Sequence, residues 1–94
     1  MVGKVECFEI AGLDMRFPAN DHLPYHFHVT RPGEWMIRVV ILRCSRRHGL
    51  YFTTVWARGG RGPTPAELDA LLENVVRHKR RLLREWQEKV RPQS

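Results

Sequence analysis

Apolar and polar positions alternate along the first two thirds of the chain and then give way to a helical stripe. Leu13, Met15 and Phe17 alternate with Asp14 and Arg16, the period-two signature of a half-buried strand. Residues 5–10 are mixed in pattern, but Phe8 and Ile10 favour a strand, and Ala11 and Gly12 supply a turn between the two. Residues 18–24 read as loop, since two prolines and Asn20-Asp21 carry turn chemistry. Residues 26–30 suit a short strand, followed by a turn at Arg31, Pro32 and Gly33. Residues 35–43 predict the strongest strand, with Trp35, Ile37, Val39 and Ile41 on one face and Met36, Arg38, Val40 and Leu42 on the other. After a polar turn at 45–49, the aromatic and β-branched run 50–57 reads as its hairpin partner. The Arg- and Gly-rich stretch 58–63 ends the sheet.

From residue 64 the period changes. Thr64 is placed to cap a helix, Pro65 suits its first position, and Glu67 stands where a capping box needs it. Leu68, Leu71, Leu72, Val75, Val76, Leu82, Leu83, Trp86 and Val90 follow at spacings of three and four. The stripe is interrupted at 77–81, so one long helix or two with a kink fit equally, and Pro92 stops it. Strands first and helix last predict a single α+β domain over 1–94. Its sheet is small and antiparallel, with two hairpins and about 4–5 strands, and the C-terminal helix packs on one face. Residues 1–62 are mainly β and 64–91 helical.

The chain of 94 residues is too short for a doubly wound nucleotide-binding fold or a barrel enzyme. A composition 43% hydrophobic and 28% charged is ordinary for a globular domain. Charge changes the picture more. The net is +6, yet residues 1–30 hold Lys4 and Arg16 against Glu6, Glu9, Asp14 and Asp21. The whole excess therefore lies beyond residue 30. The N-terminal stretch has no continuous apolar run, and the longest such run, 39–42, is far too short to cross a bilayer. The expectation is a cytoplasmic protein without a membrane partner. Two cysteines, Cys7 and Cys44, suit a reducing compartment better than a disulfide framework.

The densest chemistry is a histidine cluster. His22, His26 and His28 fall within seven residues, and on a strand His26 and His28 share a face with Phe27 opposite. Three imidazoles with an open fourth position would suit zinc or another divalent metal, with Asp21 orienting one ring. Cys7, Cys44 or His48 are the candidates for a further ligand. The same three histidines would serve as catalytic acid–base groups, because an imidazole titrates near neutrality. The plainer alternative is a local structural network in which the rings bond backbone carbonyls.

The run Asn20-Asp21-His22-x-Pro24-x-His26-Phe27-His28-Val29 resembles the hallmark of a small bacterial family, domain-of-unknown-function family 4160. The late segment Leu83-Arg84-Glu85-Trp86 is similar to that family's aliphatic–Arg-Glu-Trp pattern, although Tyr25 stands where its members generally have a second proline. The resemblance implies a compact α+β domain. It implies no activity, and it points loosely to toxin–antitoxin-like gene pairs.

The basic residues form three groups. Arg43, Arg46 and Arg47 fall in one turn, and Arg58 and Arg61 in a glycine-rich loop. Arg77, Arg80, Arg81 and Arg84 have the i, i+3, i+4, i+7 spacing of one helix face, opposite Leu82 and Trp86. Arginines on such a face can grip phosphates through forked hydrogen bonds, and Tyr51, Trp35 or Trp56 would stack on bases if exposed. Against this, Glu73 lies four residues before Arg77, and Glu85 and Glu88 neutralise part of the helix. There is no phosphate loop, no nucleophile elbow and no paired-carboxylate arrangement, and Cys44 with His48 is a weak candidate thiolate pair. The sequence therefore points to a small basic binding module that contacts nucleic acid or an acidic cognate protein. The alternative is a small histidine-dependent hydrolase or nuclease built on residues 22–28, with the histidines acting either as metal ligands or as acid–base groups.

Overall fold

The computed structural model describes residues 3–18 and 25–90. Five strands form one antiparallel sheet in sequential order: β1 (Gly3–Lys4), β2 (Asp14–Phe17), β3 (His26–Arg31), β4 (Trp35–Val40) and β5 (Phe52–Ala57). Two helices follow, α1 (Pro65–Arg77) and α2 (Lys79–Lys89). The fold is α+β, as the patterning predicts.

Alternation decides which sheet face the helices cover. Met15, Phe17, Phe27, Val29, Trp35, Ile37 and Val39 are buried and join Leu71, Val75, Leu82, Trp86 and Val90 in one core. Each such side chain removed from water contributes about 1.5–3 kcal/mol, so this layer carries the domain's stability. The opposite face is polar and open. Register places Arg16 opposite His28, His28 opposite Arg38, and Arg38 opposite Thr53.

The turn between β3 and β4 is a compact example of local chemistry. Pro32 fixes one corner, Gly33 adopts φ 78°, and the Glu34 N–H donates to the Arg31 carbonyl at 2.9 Å. The Arg31 guanidinium then binds Glu34 at 2.9 Å and Glu67 at 2.8 Å, tying this turn to the first turn of α1. Glu67 also completes the predicted capping box: its own N–H donates to Thr64 Oγ1 at 3.1 Å, and its carboxylate accepts the Thr64 N–H at 2.9 Å.

Several predicted boundaries move. Residues 5–10 are not a strand, because the Glu6 and Cys7 N–H groups donate to the Glu85 side chain instead of a neighbouring strand. The link from β1 to β2 is accordingly a long loop that buries Val5 and Phe8, rather than a tight hairpin at Gly12. The strand predicted through Arg43 stops at Val40, and Ile41–Arg43 forms a 3-10 turn that leaves Leu42 exposed. Its partner begins at Phe52 rather than Leu50, with a bulge in the register between Met36 and Ile37. The helical stripe resolves into two helices that break at His78, whose φ of −108° and ψ of 19° leave the helical region. The His78 ring stacks on Phe8 with centroids 5.6 Å apart, so the N-terminal loop sits against the break.

Candidate functional site

Two clusters that lie thirty residues apart in sequence meet at the helix break. The turn after β4 is closed by Ser45 and Gly49, which exchange backbone hydrogen bonds of 3.2 and 2.7 Å. Two contacts then dock this turn on the helices. The Arg46 guanidinium forks onto Glu73 of α1 at 2.8 and 3.2 Å, and the Lys79 ammonium donates to the Cys44 carbonyl at 2.8 Å. The hydrogen bonds from Arg46, and then its charge, hold Glu73 below the usual carboxylate range, with Arg77 adding to the effect. Arg46 is therefore occupied within the fold, while Arg43, Arg47, Arg77 and Arg80 are exposed and form no salt bridge among the described residues.

A cavity of about 500 Å³ is lined by Leu42, Arg43, Cys44, Ser45, His48, Tyr51 and Lys79. Tyr51 is 45% exposed, and the Arg43 guanidinium lies 5.1 Å from its ring centroid. An aromatic face, an apolar side chain and two cations, Arg43 and Lys79, thus share one concave surface.

The rest of the predicted basic surface divides. Arg81 and Arg84 line a different groove together with Glu6, Cys7, Glu85 and Glu88, so their charge is locally opposed. Arg58 and Arg61 lie beyond the other end of β5, beside Glu34, and do not join the turn. Of the candidate aromatics, Trp35 is buried in the core, whereas Tyr51 and Trp56 are exposed.

His28 lies on the sheet face away from the helices, with its ring centroid 5.6 Å from that of His26. His26 is buried and packs 5.4 Å from the Trp86 ring, which also meets Tyr25 and Phe17. Burial, helped by Arg38, holds His28 below the ordinary imidazole range, so it stays neutral at neutral pH. His22, with Asp21, lies outside the described residues, and among the described residues no three His, Cys, Asp or Glu side chains are grouped to hold a metal ion. Cys44 and His48 do not pair. The Cys44 Sγ accepts the Tyr51 N–H at 3.3 Å and faces the Val40 carbonyl, while His48 Nδ1 lies 3.3 Å from Ser45 Oγ. Both cysteines are free thiols, and Cys7 packs against Glu85 rather than joining Cys44.

Sequence reasoning found the arginines but not the two docking contacts. It paired Glu73 with Arg77 along the helix, whereas the bonded partner is Arg46 from a distant turn. No spacing rule could reveal a contact across 27 residues. No helix among the described residues is long and apolar enough to cross a membrane. Comparisons with protein-family models, with curated proteins and with solved structures find no match to this chain.

Proposed function

We propose that this protein binds nucleic acid through the docked turn and the helix break, with Arg43, Arg47, Arg77 and Arg80 meeting phosphates and Tyr51 stacking on a base. The observation that carries this reading is the segregation of charge. Glu34, Glu67, Glu73, Glu6 and Glu85 are engaged by the cations that knit the fold, Arg31, Arg46 and Lys89, whereas Arg43 in the aromatic cavity and the exposed Arg47 and Arg80 form no salt bridge among the described residues. Unpaired arginine beside an exposed aromatic ring suits single strands, whose bases are free to stack. The resemblance to domain-of-unknown-function family 4160, and with it a toxin–antitoxin-like setting, belongs to the same proposal.

The test is binding to a labelled single-stranded oligonucleotide across a salt series. Affinity falls steeply with salt, and the logarithmic slope diminishes by about 0.7 for each phosphate contact removed. Replacing Arg43, Arg47 and Arg77 together by alanine flattens the slope, while Arg58→Ala with Arg61→Ala leaves it nearly intact. Binding that ignores salt, or that ignores the triple substitution, rejects the reading.

A further inference from the structure

We propose that the outer edge of β5 accepts an extended acidic peptide segment of a partner protein as a sixth strand. β5 bonds to β4 along one side, and its pairing is prolonged at both ends by Val40 N–H to the Tyr51 carbonyl and Arg58 N–H to the Glu34 carbonyl. Among the described residues its other side has no strand neighbour, since β5 is last in the sheet order. Thr53, Thr54, Val55 and Trp56 are all exposed, so the strand overhangs the helical layer and is open on both faces.

Such an edge presents a row of unpaired N–H and C=O groups, and proteins ordinarily blunt it with charge, proline or covering structure. The segment Phe52–Ala57 carries no charge and no proline, and its one irregularity is the bulge at Val55, between the Met36–Trp56 and Ile37–Thr54 pairs. The sheet's opposite edge differs sharply: β1 is two residues long, and the Lys89 ammonium caps the Lys4 carbonyl at 2.8 Å. The large apolar side chains that remain exposed, Leu42, Tyr51, Val55 and Trp56, lie on β5 or beside its start. Apolar side chains and open backbone on one strand are what strand addition recognises.

Charge selects the occupant. Arg43 flanks the start of β5, and Arg58 and Arg61 flank its end; the nearby Glu34 is engaged by Arg31 at 2.9 Å. A second copy of β5 would bring arginine against arginine in either orientation, because both ends are basic. A nucleic acid strand lacks the alternating N–H and C=O groups that the edge requires. An extended peptide bearing Asp or Glu at its ends, with apolar residues between, satisfies both backbone and charge.

The test uses capped eight-residue peptides alternating valine with glutamate or with lysine, and a glutamate peptide N-methylated at every second amide. The glutamate peptide slows hydrogen exchange of those Thr53–Trp56 amides that point away from β4 at least tenfold, and N-methylation weakens binding at least tenfold. Arg58→Glu with Arg61→Glu weakens the glutamate peptide at least tenfold and admits the lysine peptide. The proposal is overturned if the two peptides bind equally or if neither slows exchange. It is also overturned if the free protein is a dimer with these amides already protected, or if an oligonucleotide protects them and the peptide does not.

Discussion

The Glu85 carboxylate accepts the backbone N–H of Cys7 at 2.8 Å, joining the last helix to the N-terminal loop across nearly the whole chain. Its second oxygen accepts the Glu6 N–H at 2.9 Å, and Lys89 lies 3.1 Å away. Burial is the largest single influence on Glu85 and pushes its pKa up, but the Glu6 N–H, Cys7 and Lys89 together outweigh it and leave the group below its usual range. A depressed carboxylate stabilises the native state above its unfolded pKa of about 4.3, and that stability is lost as pH falls through the folded value. Glu85→Ala strands two donors and lowers stability by about 1–3 kcal/mol near neutrality. Urea unfolding at a series of pH values from neutrality into acid checks both effects, because the variant loses less stability than the parent as the medium is acidified.

The same contact suppresses the Cys7 thiol. Burial first, then the hydrogen bond and charge of Glu85, push its pKa up to about 12. Alkylation by iodoacetamide at mildly alkaline pH is therefore much slower in the native protein than after denaturation. A raised pKa confers stability fully present below the unfolded value, about 8.5, and lost as pH climbs toward the folded one. Cys44 is raised by burial in the same direction. Native stability accordingly declines between about 8.5 and about 12, and replacing both thiols with alanine removes that part of the decline.

Lys79 tests the docking of the basic turn. Its ammonium is partly buried against the Cys44 carbonyl, so Lys79→Met costs about 1 kcal/mol after allowance for solvent. The local consequence exceeds the global one. Hydrogen exchange of the Ser45 and Gly49 amides accelerates, and oligonucleotide affinity falls further than one lost charge accounts for, because Arg43 and Arg47 are no longer held beside the helix.

How much of this was legible beforehand follows from the range of each interaction. The capping box of Thr64 and Glu67 spans three residues, and the Arg31–Glu34 turn is closed by Pro32 and Gly33, so local rules read both. The core face of β2 and β4 followed from alternation. What escaped were residues satisfied from afar. The run 5–10 has strand-like composition, but its backbone donors go to Glu85, 78 or 79 residues away. Leu42 continues the alternation of β4, yet the chain turns at Ile41 and leaves it in solvent. The arginine face of α2 reads as a single surface by helical spacing, and only the neighbouring Glu6 and Cys7 show that Arg81 and Arg84 belong to a separate groove.

Arg38 offers the sharpest test of the open sheet face. Its Nε is shielded from solvent without a hydrogen-bond partner, and register places it opposite His28. Burial is the main cause of the lowered His28 pKa, and the Arg38 charge adds to it. Below its unfolded pKa of about 6.5 the unfolded chain takes up a proton before native His28 does, so stability falls as the medium is acidified toward the folded value. Arg38→Met removes the charge and the unsatisfied donor together while keeping an aliphatic stem over the sheet. The His28 imidazole then titrates at higher pH by NMR, though still below the ordinary range because its burial is unchanged. The acid loss of stability becomes shallower, and stability near neutrality is equal to the parent's or about 1 kcal/mol higher. An unmoved His28 titration in the folded variant would show that Arg38 does not govern the electrostatics of this face.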